Sequence, residues 1–196
     1  MLVREVMTLE PATVNPDTGL KAALRRLADL GITSMPVIDG RGRLLGIVSE
    51  VDLIREAVSR DPRAPEGSVV VDSLYPARSV REVYTRSVAT VHAHDDVASA
   101  VELMSSTGAK SLPVLDEHGG LVGIISRSDI VMALARDDEV IAADLDKLLG
   151  RLGHGDWLVE VDEGVVAGAG PAGPAEVSLA HVAARTVPGV TGVHVE

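Results

Sequence analysis

The chain repeats itself. Slid by 77 residues without a gap, Val3-Arg4-Glu5-Val6 falls on Val80-Arg81-Glu82-Val83 and Ala12-Thr13-Val14 on Ala89-Thr90-Val91. Ser34-Met35-Pro36-Val37-Ile38-Asp39 falls on Ser111-Leu112-Pro113-Val114-Leu115-Asp116. Leu44-Leu45-Gly46-Ile47-Val48-Ser49 falls on Leu121-Val122-Gly123-Ile124-Ile125-Ser126, and Asp52 on Asp129. About 20 of 55 aligned positions are identical, where chance gives roughly 3 to 5, so whatever the first copy folds into, the second must also fold into.

Each copy reads as β-α-β-β-α. A short apolar strand (Ala12–Val14; Ala89–Val91) precedes polar candidates for a helix N-cap, Asp17-Thr18 and Asp95-Asp96. Apolar residues then recur at i, i+3, i+4, i+7 (Leu20, Ala23, Leu24, Leu27; Val97, Ala100, Val101, Met104), which is one face of a helix. Gly31 and Gly108 stop these helices. Two strands follow, Met35–Asp39 and Arg43–Val48, then Leu112–Asp116 and Leu121–Ile125, joined by Gly40-Arg41-Gly42 and Glu117-His118-Gly119-Gly120, which suit hairpin loops. A second helix closes each copy. Arg60–Ser79, with Pro62, Pro65, Gly67 and Pro76, reads as a linker in which Val69-Val70-Val71 adds a short edge strand.

The pattern resembles the CBS domain, which commonly occurs as a tandem pair, the Bateman module. The resemblance covers residues 1–136 and rests on two stretches present in both copies. One is Gly-Ile-Thr-Ser-Met-Pro-Val-Ile-Asp, matched by Gly-Ala-Lys-Ser-Leu-Pro-Val-Leu-Asp; the other is Gly-Ile-(Val/Ile)-Ser-x-x-Asp. It implies two repeats packed sheet to sheet in pseudo-symmetry, clefts that bind adenosine compounds (AMP, ADP, ATP or S-adenosylmethionine), and pairing of modules into homodimers.

The residues themselves permit that chemistry. Ser49-Glu50-Val51-Asp52 and Ser126-Arg127-Ser128-Asp129 each leave a strand and open a helix, where unpaired N–H groups and the helix dipole favour an anion. A serine hydroxyl can donate to a phosphate, and an aspartate can accept from both ribose hydroxyls. The same spacing also makes a capping box that needs no ligand. For the base, Val14, Ile32 and Val91 offer aliphatic walls beside Thr13, and the resemblance adds the stretch before each proline: Thr33, Met35 and Pro36; Lys110, Leu112 and Pro113. Met35 and Leu112 also suit plain strand core.

Charge separates the copies. Lys110 and Arg127 stand where the first copy has Thr33 and Glu50. At about 6 Å and an effective dielectric near 20, one charge on a phosphate is worth about 2–3 kcal/mol, more than about tenfold in affinity. The expectation is a phosphorylated nucleotide at Ser126/Asp129, and an empty, weaker or less anionic site at Ser49/Asp52.

Residues 137–196 differ in character, with 11 acidic and 3 basic side chains, so −8 of the net −11 lies here. An amphipathic helix is expected over Asp138–Leu152, strands at Trp157–Val161 and from Gly164, a helix at Val177–Thr186 and a last strand at Thr191–Val195. Val159-Glu160-Val161-Asp162-Glu163-Gly164-Val165-Val166, Gly170 and Val187-Pro188-Gly189-Val190-Thr191-Gly192-Val193 resemble the BON domain, which implies attachment to phospholipid. Net −8 opposes that on anionic headgroups, so membrane lipid is not the expected partner and a contact within the chain or dimer is.

Other classes drop out. The chain holds no cysteine, which excludes thiolate metal sites and cysteine catalysis. Aromatics are 2% of residues and the charge is acidic, which disfavours nucleic acid. Gly168-Ala169-Gly170-Pro171-Ala172-Gly173 matches the glycine spacing of a dinucleotide site, but only 23 residues follow it and two prolines interrupt the turn, so it reads as a loop. His92-Ala93-His94-Asp95 falls at a strand-to-helix turn and reads as caps, so no metal is expected. With no apolar run long enough to span a bilayer and no leader at Met1-Leu2-Val3-Arg4-Glu5, a cytoplasmic, non-enzymatic protein is expected. The fold class expected is α+β: CBS repeats at 1–59 and 80–136, a linker at 60–79, and a BON-like domain at 137–196. Its function is a regulatory adenine-nucleotide sensor without other cofactor; the alternatives are a ligand-free adaptor or a membrane-attached protein.

Overall fold

The computed structural model describes residues 1–58 and 77–195. The first copy runs through a 3₁₀ turn (Val3–Glu5), β1 (Thr8–Leu9), α1 (Leu20–Leu30), β2 (Ser34–Ile38), β3 (Leu44–Ser49) and α2 (Glu50–Ala57). The second runs through a 3₁₀ turn (Val80–Glu82), β4 (Val91–His92), α3 (Val97–Thr107), β5 (Ser111–Leu115), β6 (Leu121–Ser126) and α4 (Arg127–Leu134). β2 and β3 pair antiparallel with Met35 opposite Val48 and Pro36 opposite Ile47, and β5 and β6 are neighbours in a sheet of order β1-β6-β5-β4. Most of the expected linker, with Val69-Val70-Val71, lies outside the described residues.

Two expectations need correction. The strand expected at Ala12–Val14 is a single parallel bridge, Val14 to Val37, held by Val14 N–H to Pro36 O and Ile38 N–H to Val14 O, both 3.0 Å. Upstream, Pro36 has no N–H to donate to Ala12 O, and downstream Pro16 has none to donate to Ile38 O; the strand expected at Ala89–Val91 likewise shrinks and shifts to Val91–His92. The N-cap of α1 is Gly19, which supplies no side chain, not Asp17 or Thr18. Asp17 instead pairs with Arg81 at 2.7 Å, and the Thr18 carbonyl accepts from Val80 N–H at 2.9 Å. In the second copy Asp96 does cap α3, accepting from Ala98 N–H at 2.9 Å.

The chain divides into two compact units that do not follow the repeat boundaries: Met1–Thr8, His92–Lys110 and Ile125–Glu196 form one, Leu9–Val91 and Ser111–Ile124 the other. The physical reason is a reciprocal exchange of N-terminal segments. Val3 N–H donates to Asp95 O and Arg4 N–H to Ala93 O; 77 residues on, Val80 N–H donates to Thr18 O and Arg81 N–H to Pro16 O, all within 2.8–2.9 Å. Each copy thus secures the helix entry of the other. In the second unit a core forms from Val14, Leu20, Ala23, Leu27, Met35, Val37, Val48, Leu53 and Val80. Ser34 and Ser111, equivalent positions of the two copies, meet there Oγ to Oγ at 2.6 Å.

The C-terminal segment continues the first unit with α5 (Asp138–Leu152), β7 (Leu158–Asp162), β8 (Val165–Ala169), α6 (Pro174–Arg185) and β9 (Gly192–Val195). The sheet order is β7-β8-β9, antiparallel then parallel. Glu163 and Gly164 both take positive φ, the two-residue turn that suits a hairpin, and the Asp138 carboxylate accepts both their N–H groups at 2.8 and 2.9 Å. Helix α6 starts at Pro174, three residues before the expected Val177, because proline suits the first turn of a helix. Ile141, Leu145, Val166, Ala184, Val187 and Val193 make its core.

Candidate functional site

Both Ser-x-x-Asp motifs close the same cap. In the second unit Ser49, the last residue of β3, donates its N–H and its hydroxyl to Asp52 Oδ2 at 2.9 and 2.6 Å, and Asp52 N–H returns to Ser49 Oγ at 3.4 Å. Glu50 N–H donates to Thr33 O at 2.8 Å, which lays the Thr33-Ser34 stretch beside the start of α2. Thr13, Ser49 and Asp52 are half-buried and Thr33 is exposed. Val14, Met35, Pro36, Val91, Leu112 and Pro113 are buried in this unit. Met35 and Leu112 have at most 1% of their surface exposed, so here their side chains serve the core.

The first unit repeats the device. Ser126 donates its N–H and hydroxyl to Asp129 Oδ2, both at 2.7 Å, and Asp129 N–H returns to Ser126 Oγ at 3.2 Å. Arg127 N–H donates to Lys110 O at 3.0 Å, so the backbone of the Lys110 stretch meets the start of α4 as that of Thr33 meets α2. The remaining oxygen, Asp129 Oδ1, lies 3.5 Å from the Thr8 hydroxyl. Lys110 and Arg127 are exposed and Ser126 and Asp129 half-buried. The Arg127 guanidinium donates from Nη2 to Met104 O at 3.3 Å, bonded to the main chain of α3.

Asp129 opens onto a cleft of about 470 Å³, within the range of small-molecule sites. Asp129, Met132 and Ala133 on α4 form one wall, Glu5 and Val6 a second, and Asp144 and Pro188 a third, with Arg136 beside the last. Arg136 donates to Pro188 O at 2.7 Å and to Asp144 at 2.5 Å. Its guanidinium, then the Lys147 ammonium, holds the Asp144 carboxyl below the usual carboxylate value. Thr8, Glu5, Arg136 and Asp144 escaped the sequence reading. Thr8 and Glu5 carried a signal, being identical to Thr85 and Glu82 across the repeat; Arg136 and Asp144 lay on either side of the presumed domain boundary and carried none. Among the described residues no group of acids and histidines is placed to hold a metal. His94 Nδ1 instead lies 3.1 Å from Arg4 Nη1. No helix among those residues is long and apolar enough to cross a membrane.

Comparison with known proteins identifies the repeated unit. The CBS domain family matches residues 3–59 and 80–136. A CBS domain-containing protein of Dictyostelium discoideum is 33% identical over 138 residues, covering 69% of this chain and 92% of that protein. The A-adding tRNA nucleotidyltransferase of Aquifex aeolicus is 30% identical over 137 residues, covering 70% of this chain but only 15% of the enzyme. Among solved structures, CBSX2 in complex with AMP superimposes with a TM-score of 0.53 at 27% identity, covering 67% of this chain and 94% of CBSX2.

Proposed function

This chain belongs to the CBS domain family as a tandem pair, and on that premise we propose that it is a regulatory module sensing an adenine nucleotide. The observation that carries the reading is the Asp129 cap: one carboxylate oxygen holds the helix start, while the other lies outside the cap beside a cleft of nucleoside size. Oδ1 of Asp129 accepts from the ribose hydroxyls, displacing Thr8. The α4 start and Ser126 face the phosphate, Lys110 and Arg127 supply the countercharge, and Arg127 leaves the Met104 carbonyl to do so. Thr13, Thr33, Ser49 and Asp52 are the first-copy residues open to a ligand, and Glu50 disfavours phosphate there; Val14, Met35, Pro36, Val91, Leu112 and Pro113 are buried in the core of their own unit. The relative solved with AMP supports this ligand class. The protein acts as a cytoplasmic homodimer without catalysis of its own, with repeats at 1–59 and 80–136 and a BON-like domain at 137–196 that receives the signal.

A ligand-free adaptor is the second reading, favoured by the completeness of both caps, whose bonds are made within the chain. Calorimetry with AMP, ATP and S-adenosylmethionine separates them. Asp129→Ala is expected to abolish binding of the phosphorylated nucleotides and Asp52→Ala to spare it. The reverse pattern inverts the site assignment, and no heat with any adenosine compound leaves the adaptor.

A further inference from the structure

The third wall of the Asp129 cleft belongs to the C-terminal segment, and the contacts that hold it are specific. Arg136 leaves the end of α4 and binds two parts of that segment at once, the Asp144 carboxylate on α5 and the Pro188 carbonyl before β9. Its side chain is only 23% exposed. The next residue, Gly189, approaches α4 so closely that a Cβ there would stand 3.2 Å from Ala133 O and 2.7 Å from Ile141 Cδ1. Its φ of +98° also excludes ordinary side chains. Ala133 in turn shares a face of α4 with Asp129. One short path of packed groups therefore joins the carboxylate at the helix start to α5.

We infer that the C-terminal segment completes the ligand site of the second repeat, and that Arg136 is the positioning residue that holds it against α4. Nucleotide binding and docking of the segment are then linked, each strengthening the other. A ligand that fills the cleft touches a wall that exists only while the segment is docked. The inference rests on the reading that a ribose sits at Asp129.

Trp157 is the sole tryptophan and packs with Leu149 two turns along α5, so its fluorescence reports on the segment. The test is AMP titration of the full chain, followed by calorimetry and Trp157 emission. Arg136→Gln is expected to weaken AMP binding about fivefold or more, within the usual range of such couplings, and to abolish the emission change. Asp144→Asn, which leaves the bond to Pro188 O in place, gives a smaller loss in the same direction. Melting curves check that both variants fold. If both bind AMP as tightly as wild type with the same emission change, the inference is overturned, even if they melt lower. If wild type ignores AMP, or Asp129→Ala binds it unchanged, the ligand reading itself fails, and that result does not depend on Arg136.

Discussion

Gly46 lies on β3 within the repeated Gly-Ile-(Val/Ile)-Ser stretch, and its lack of a side chain is required by close approach. A Cβ there would stand 2.0 Å from Thr85 O and 2.7 Å from Tyr84 Cδ2. The Thr85 carbonyl cannot simply turn aside, because it accepts from Ile47 N–H at 3.0 Å while Thr85 N–H donates to Ile47 O at 2.9 Å. Carbon–oxygen contacts need more than 3 Å, so Gly46→Ala must push the Thr85 segment away by roughly 1 Å or more. Forcing a methyl into a packed site costs about 1–3 kcal/mol, and weakening two backbone hydrogen bonds adds about 0.5–1.5 kcal/mol each. A net loss of about 2–6 kcal/mol follows, and at about 2–4 °C per kcal/mol for a chain of this size the melting temperature falls by about 4–24 °C. The assay is thermal and urea denaturation followed by circular dichroism. Gly40→Ala is the matched control, since nothing lies within 4 Å of a Cβ at Gly40; its effect should stay within about 0.5 kcal/mol. A Gly46→Ala protein that melts within about 2 °C of wild type, or a Gly40→Ala protein that falls as far, would refute the close-approach argument.

Two further predictions concern the copies' differences and the turns. Gly19→Asp gives α1 the cap that Asp96 gives α3; a gain of a few tenths to about 1 kcal/mol is expected in urea melts, and a loss would show that Gly19 is needed for its own sake. Asp116 accepts from Gly120 and His118 N–H groups, both at 2.8 Å, and these hold its carboxyl below the ordinary 3.8. Because its folded pKa is depressed, its stabilising effect is complete above about pH 4 and is lost as pH falls through the folded value. Asp116→Asn should lower stability at pH 7 and flatten the decline below pH 4; a decline as steep as wild type would count against it.

The sequence disclosed whatever was written in side-chain identity. Twenty shared residues between Val3 and Asp52 and their counterparts located the copies, and apolar spacing located α1, α3 and α5. The two Ser-x-x-Asp caps were legible because both partners are local and chemically specific. The exchange of N-terminal segments was not, since it is made by main-chain groups of Val3, Arg4, Val80 and Arg81, which any residue could supply. The first strand was overestimated because Pro16 and Pro36 act through missing N–H groups that periodicity does not register. Arg136 and Asp144 are eight residues apart and meet only because the chain between them turns from α4 into α5.

A duplication yields two equivalent sites, so any difference in what they do must come from residues that depart from the repeat or from what is attached to only one copy. Lys110 and Arg127 depart from it, yet Arg127 is bonded to Met104 O, so its charge reaches a phosphate only after that bond is given up. Attachment offers a difference with no such cost. The counterpart of Arg136 is Ser59, which carries no charge and cannot make an ion pair. The acidic excess of residues 137–196 also changes meaning. Asp144 is held by Arg136 and Lys147, and Asp138 by the turn at Glu163 and Gly164. These two charges hold the segment in shape and against α4 rather than repelling a surface. Under the proposed reading the asymmetry of the pair thus resides as much in the third wall of one cleft as in the charges at its mouth. Exchanging Lys110 and Arg127 for the first copy's Thr and Glu would therefore shift preference among ligands, while loss of Arg136 would disconnect them from α5.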